Sequence, residues 1–283
     1  MITKIKGLSR VIVVAAITVI ATLIAGCGAT NVAKPDPKQT IRITGSLTCL
    51  PLLTTMATEY KRTRPNVSFL YPTGSHSAAG VKAAQDGTAD IGAVSRELKP
   101  EESALGLKYF LLSNDGLVVA TDSNVPLKNI TSAQLTAIYS GAATNWKELG
   151  GPDAPIIVLD RSEDESAKII LRKYILGTVQ NLPSASVMFL ESDMIKALTT
   201  TKNSIGYLSF GACVSQSLKL NILDLNGTTP SISTIHSGKY IMVRPLSILI
   251  KKSPAPGTLD FVNWMTSPEG QAYMNGKGYA SAS

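Results

Sequence analysis

The sequence is poor in the residues that most often carry metal, redox or nucleophilic chemistry. Its 283 residues include three cysteines, two histidines and two tryptophans. No C-x-x-C or H-E-x-x-H spacing occurs, so a metal site has no ligand set to draw on and no cofactor is expected. No G-x-S-x-G elbow is present either. Serines do flank His76 in "GSHSAAG" (74–80), but nucleophilic catalysis needs a base oriented by a third group. Residues at i±1 also point to different sides of a strand or turn, so no catalytic residue is assigned. Runs of lysine or arginine are missing too, which leaves a nucleic-acid partner without support. Cys49 and Cys213 could pair in an oxidising compartment, but two cysteines far apart in sequence favour two unpaired thiols.

What is present begins with a leader. Lys4, Lys6 and Arg10 precede the apolar run "VIVVAAITVIATLIAG" (11–26). A basic start, an apolar middle and small residues before the cut describe a secretory signal peptide over 1–26. "LIAGC", Leu23 to Cys27, resembles the lipobox of bacterial lipoproteins, which implies a diacylated Cys27 at the mature N-terminus. The alternative is an uncleaved anchor, since a membrane span needs about 18–20 apolar residues. Either reading puts the rest of the chain outside the cytoplasm, at a membrane surface in the periplasm or on the cell surface. Residues 27–39, including "GATNVAKPDPKQ", read as a flexible tether. The formal charge of +7 overstates the mature chain: without the leader, 24 basic residues face 20 acidic ones, a net of +4.

From Thr40 onward strands alternate with helices. "TIRITG" (40–45), "VSFLYP" and "ADIGAVS" read as strands, and "TCLPLLTTMATEYKRT" and "SAAGVKAAQDG" as the helices between them. Such alternation predicts a parallel-rich α/β sheet. "GLVVATDS" (116–123) then leads into a second segment. That segment holds the helix "TSAQLTAIYSG", capped by Thr131 or Ser132, the strand "APIIVLD" and a helix from about Ser166 to Leu176. "SDMIKALTT" reads as a helix, "SIGYLSF" as a strand, and "KYIMVRPLSILIKK" (239–252) as a strand interrupted at Pro245. Two helical stretches, "TLDFVNWMT" and "SPEGQAYMNGKG", close the chain. One domain interrupted by another, with extended crossings near 116–122 and 244–251, fits this order. Trp146 and Trp264 read as core or lobe-surface residues rather than ligand platforms, and Tyr207 as core.

Three stretches share a strand, a small-residue turn and a helix start: "TGSLTCLP" (44–51), "TGSHSAAGV" (73–81) and "DIGAVSREL" (90–98). Each offers hydroxyls and backbone N–H groups suited to a tetrahedral oxyanion. Singly they read as caps. Together, at the C-terminal ends of adjacent parallel strands, they lie where open α/β sheets bind ligands.

These stretches, with "IYSG…NWKELGG", "SIGYLSF", "SGKYIMVRPL" and "SPEGQAYMNGKGY", resemble the phosphate-binding proteins of bacterial phosphate ABC transporters from about Ile41 to Tyr279. The resemblance implies an α/β, two-lobed periplasmic-binding-protein-like fold. Each lobe would hold a mixed, mostly parallel sheet with flanking helices, and two hinge strands would cross between them. Lobe 1 would be 40–117 plus 246–283, and lobe 2 would be 118–245. It further implies a monomer that binds inorganic phosphate, or a related oxyanion, and docks on ABC permease subunits. Carried over by position, the first-lobe ligands are Thr48 (with Cys49 as a competitor), Ser77, Ser95 and Arg96. A salt bridge from Arg96 to Glu97, Glu101 or Glu102 stays open as an alternative.

The second lobe departs from the family pattern in "DRSEDESAK" (160–168). Arg161 matches, but the family's Gly-Ser-Gly-Thr cradle is replaced by Asp164, Glu165, Ser166 and Ala167. In one reading Glu165 accepts a hydrogen bond from a protonated ligand oxygen, which would admit phosphate and repel sulfate. In the other, the acids are solvent-facing helix caps and the cradle is degraded.

Overall fold

The computed structural model describes residues 38–74 and 76–282. The expected signal peptide, Cys27 and almost all of the tether lie outside the described residues. Strand β1 (Gln39–Gly45) alternates, with Ile41 and Ile43 inward. Helix α1 (Leu50–Thr63) buries Leu52, Leu53, Met56, Ala57 and Tyr60, the 3–4 spacing of one helix face. Pro51 sits in its first turn, where a missing N–H costs nothing. Next come β2 (Val67–Leu70), α2 (Ser77–Asp86), β3 (Ile91–Val94), the short α3 (Pro100–Ser103) and the long β4 (Lys108–Thr121). The chain continues through β5 (Asn129–Ile130), α4 (Ser132–Ser140), β6 (Ile157–Arg161) and α5 (Ser166–Leu171), which runs on into a π-helical turn, Arg172–Leu176. After it follow β7 (Ser186–Met188), α6 (Glu191–Thr200), β8 (Ser204–Ser209), α7 (Phe210–Ser215), β9 (Asn221–Ile222), β10 (Asp224–Leu225) and α8 (Ile232–His236). The chain returns through β11 (Val243–Ile250) and ends with α9 (Pro256–Thr266), α10 (Pro268–Gly276) and β12 (Ala280–Ser281).

The main sheet runs in the order β2-β1-β3-β11-β4-β8-β6-β7. β1 is parallel to β2 and β3, and β6 is parallel to β7 and β8. Between these parallel groups lie β11 and β4, antiparallel to each other and to their outer neighbours. One hydrophobic cluster draws on Ile41 to Leu112 and Leu246 to Tyr279. A second spans Leu117 to Met242, with Ala280 added from the C-terminus. β4 and β11 carry the chain from the first group of core residues to the second and back, and the chain passes between them again at Tyr279–Ala280. Trp264 belongs to the first cluster and Trp146 to the second. This is a mixed α/β architecture with helices flanking a curled sheet.

Two local features differ from the sequence expectation. β4 begins at Lys108, well ahead of Gly116, because Lys108–Asp115 pair with β11. β11 runs through Pro245 and shifts register only between Leu246 and Ser247. Proline is tolerated there because its neighbouring bulge already loosens the ladder.

A close backbone approach positions the first wall of the cleft. A Cβ on Gly80 of α2 would lie 2.4 Å from the Ala93 carbonyl oxygen. A Cβ on Gly45, at φ +121°, would lie 2.4 Å from the same carbonyl oxygen and 2.7 Å from Gly80 Cα. Glycine alone fits both places, and α2 therefore sits directly on the ends of β1 and β3.

Candidate functional site

Because β1 and β3 end side by side, their following residues meet. Ser46 and Ser95 share a 2.8 Å hydroxyl contact, and the Ser46 N–H donates to Ala93 O at 3.0 Å. The Ser95 N–H donates to Ser77 Oγ at 3.1 Å, which joins the start of α2 to the pair. His76 caps the same helix, its Nδ1 accepting from the Ala79 N–H. Thr48 is buried, and its hydroxyl makes no side-chain hydrogen bond among the described residues. Its neighbour Cys49 donates to Val94 O at 3.2 Å. On the cleft wall it is Ser46, not Thr48, that is exposed to the cavity.

Arg96 also borders the cavity, but its guanidinium grips Glu102 through two bonds of 2.7 and 2.8 Å. Those bonds, against a smaller penalty from burial, hold the Glu102 carboxyl down to about 2. Of the acids named as its alternative partners, Glu102 is the one it takes.

The opposite wall is built on β6 and α5. Asp160 accepts from Lys168 Nζ at 2.7 and 2.9 Å, from the Tyr207 hydroxyl at 2.6 Å and from the Arg161 N–H at 2.8 Å. Lys168 is 0% exposed and also donates to Asn181 Oδ1. This buried pair ties the first turn of α5 to the end of β6 and fixes where Arg161 leaves the strand. Arg161 is 3% exposed. Its Nη2 lies 3.1 Å from Glu165 Oε1 and 3.4 Å from Phe189 O, while Nε and Nη1 have no partner among the described residues. Glu165 also caps α5, Oε2 accepting from the Ala167 N–H at 3.0 Å. Ser166 reaches across the cleft and donates to Ser95 O at 3.2 Å.

Several functional candidates escaped sequence reasoning. Arg244, 0% exposed on β11, places Nε and Nη2 on Asp115 Oδ2 at 3.1 and 3.0 Å. Its Nη1 lies 3.5 Å from Ser166 Oγ, and Nη2 lies 3.7 Å from Glu191 Oε2. Burial opposes the charge on Arg244, but Asp115, Glu191 and Glu165 outweigh it and raise its pKa. Burial, reinforced by Asp115, pushes Glu191 upward despite the opposing pull of Arg244. The only local signal was a charge inside an otherwise apolar strand, at "VRPL" and "NDGL".

A cavity of about 1000 Å³ lies between the walls, bordered by Ser46, Ser77, Ser95, Glu165, Ser166 and Arg244. A second of about 480 Å³ is lined by Leu50, Leu190 and Glu191 among others. Buried guanidinium nitrogens without partners, beside converging serine hydroxyls, can hold an oxyanion. Ser77, Ser95, Glu165 and Ser166 line this cavity; Arg161 is not on its wall but pairs with Glu165, Thr48 stays off the wall and Arg96 is turned to Glu102.

A family model described as PBP superfamily domain matches residues 30–269. The chain belongs to that superfamily. A phosphate-binding protein PstS of Borreliella burgdorferi is 29% identical over 258 residues, covering 88% of this chain and 92% of its own. A Clostridium perfringens crystal structure with bound phosphate, assigned as a phosphate ABC transporter substrate-binding protein, has a TM-score of 0.76 at 28% identity. The match covers 86% of this chain and 100% of that one. An ABC-type phosphate transport receptor of Vibrio cholerae has a TM-score of 0.64 at 27% identity, over 84% of this chain and 98% of its own. The strand order, with two antiparallel strands between parallel groups, is thus this superfamily member's version of the fold.

Proposed function

We propose that this protein captures inorganic phosphate in the cleft and delivers it to the permease of an ABC transporter. It acts outside the cytoplasm as a solute-binding protein and not as an enzyme. Arg161 carries the reading: it is a buried guanidinium whose Nε and Nη1 have no partner among the described residues, paired with Glu165, which lines the cleft. Leaving such donors unmet costs about 1–3 kcal/mol each, which a bound oxyanion would recover. The relatives named above as phosphate-binding or phosphate-transport proteins support the same ligand. Ser77, Ser95 and Ser166 supply neutral hydroxyls, and Thr48 and Arg96 would join only if the turn after β1 or the Glu102 pair rearranged. Apart from Leu117 and Ala280, the two hydrophobic clusters follow the proposed lobes, 40–117 plus 246–283 and 118–245, with β4 and β11 as hinge strands. Ligand binding would shift the balance between open and closed lobe arrangements of a monomer, and the closed one would dock. Cys27 is the proposed lipid anchor.

A receptor for another oxyanion, or a phosphate sensor, is the second reading. It is favoured by Glu165, whose carboxylate already occupies both Arg161 and the first turn of α5. Calorimetric titration with phosphate, arsenate and sulfate decides between them. Micromolar or tighter phosphate binding without a sulfate response is expected, and silence toward all three would refute the transport reading.

A further inference from the structure

The edge of the sheet farthest from the cleft is cationic. The serine turns of the cleft follow the ends of β1 and β3, so the starts of those strands mark the opposite pole. β4 runs with them and β11 against them, so Lys108, which opens β4, pairs there with Ile250, which closes β11. The topology thus gathers Lys38, Lys108, Lys251 and Lys252 at one edge. Helix α1 ends at the same place, because the carbonyl of its C-cap, Arg64, accepts from the Val67 N–H at the start of β2. Lys61 and Arg64 join the group there. Leu105 adds an apolar side chain, 38% exposed, next to Gly106, where an added Cβ would lie 3.2 Å from Lys252 Cε.

Lys38, Lys61, Lys108, Lys251 and Lys252 are exposed. The ion pairs of this edge belong to other cations: Arg42–Asp90, Arg62–Glu59 and Lys82–Asp86. Asp260, felt by Tyr60 as Arg64 is, and Glu269, felt by Arg62, oppose the face without an ion pair of their own among the described residues. The cleft rim differs, since Lys99 and Lys173 are matched there by Glu97 and Asp164. Like charges held together without partners repel, and a surface of fixed anions relieves that repulsion. The chain that leads back to Cys27 leaves the described residues at Lys38, inside this face.

We infer that the face rests on the anionic phospholipid headgroups of the leaflet that carries the anchor, with the cleft turned away from the membrane to collect ligand. The inference rests on the proposed Cys27 anchor for proximity. Eleven residues from Gly28 to Lys38 reach at most about 36–40 Å, so encounter is intramolecular and weak contacts suffice. The acyl chains supply attachment and the cations supply orientation, each lysine or arginine near an anionic surface strengthening the hold about fivefold. Such attraction fades beyond a Debye length of about 8 Å. Lifting off to meet a permease therefore needs only a short displacement.

The experiment is sedimentation of the secreted form, residues 28–283, with lipid vesicles. This form holds every described strand and both hydrophobic clusters, and it carries no lipid of its own. Vesicles of phosphatidylglycerol mixed into phosphatidylcholine are compared with phosphatidylcholine alone. Partition onto the anionic vesicles is expected to be at least about tenfold stronger and to vanish between about 50 mM and about 500 mM salt. Lys251→Gln with Lys252→Gln should lower it about tenfold or more, as should Lys38→Gln with Lys108→Gln. Lys219→Gln with Lys239→Gln, at exposed positions outside the face, should leave it within about twofold. Thermal unfolding checks each variant. Equal partition onto both kinds of vesicle, insensitivity to salt, or an equal loss in the Lys219 and Lys239 pair overturns the inference. So does equal affinity for a dissolved acidic polypeptide such as polyglutamate, which would assign the face to a protein partner. Mass spectrometry of the native chain tests the anchor separately: Cys27 without acyl chains would refute the anchor reading alone.

Discussion

Lys168→Met isolates the pair that holds Arg161 in place. Methionine fills nearly the same volume but removes three hydrogen bonds of 2.7–3.0 Å, two to Asp160 and one to Asn181. Removing one partner of a buried ion pair typically costs about 3–5 kcal/mol, because the other charge stays buried. Asp160 keeps the Tyr207 hydroxyl and the Arg161 N–H as donors, which places the expected loss near the lower end, about 3 kcal/mol. For a chain of this size that corresponds to a melting point lower by about 6–12 °C. Urea unfolding followed by tryptophan fluorescence is well suited, since Trp146 and Trp264 report on separate hydrophobic clusters. The transition reported by Trp146 should move more. Adding Asp160→Asn removes the stranded charge, so the double variant should recover at least about 1 kcal/mol. A loss under about 1 kcal/mol in Lys168→Met, or no recovery in the double variant, would refute the reasoning.

Arg161→Lys should weaken phosphate binding about tenfold or more, since a point ammonium cannot reproduce the lost charge-assisted bonds; calorimetry reads this directly. Gly80→Ala should lower the melting point by several degrees, because the new methyl would meet the Ala93 carbonyl at 2.4 Å and backbone cannot yield cheaply. The Arg96–Glu102 pair should show in acid. The folded Glu102 carboxyl is depressed, so its contribution is complete above its ordinary value of 4.5 and is lost as pH falls toward about 2. Glu102→Gln should therefore flatten the decline in stability between those two pH values, measured by urea unfolding at each.

Much of the architecture was legible because it rests on local rules. The 3–4 spacing of Leu52, Leu53, Met56 and Tyr60 announced α1, and Thr131 caps α4 through the Gln134 N–H as its sequence position suggested. Cys49 and Cys213 are both buried free thiols. The first half of β4 was hidden because Ser113, Asn114 and Asp115 break the apolar alternation. Their burial depends on distant partners: Ser113 donates to Ala280 O, and Asp115 pairs with Arg244. For the same reason Arg244 looked like an ordinary strand charge. Contacts between residues more than a hundred positions apart leave no periodicity in either segment. The preference of Arg96 for Glu102 over its neighbours was likewise a matter of how α3 folds back, which three nearby glutamates cannot reveal.

The acids of "DRSEDESAK" have four different tasks. Asp160 faces inward to Lys168, Glu163 turns outward to Arg172 and Asn181, Asp164 stands at the cavity rim, and Glu165 sits on Arg161. Only the last changes the chemistry of the cleft. A Gly-Ser-Gly-Thr turn would leave the backbone N–H groups of the helix start open to a ligand. Here Glu165 already accepts from the Ala167 N–H, so that part of the helix start is satisfied from within. Under the proposed function an oxyanion would then be held chiefly by side chains, the Arg161 guanidinium and the serine hydroxyls of both walls. A backbone cradle grips any tetrahedral anion of the right size. Side chains that include acceptors discriminate by the protons the anion carries, and a cradle position taken by Glu165 moves the site from the first kind toward the second.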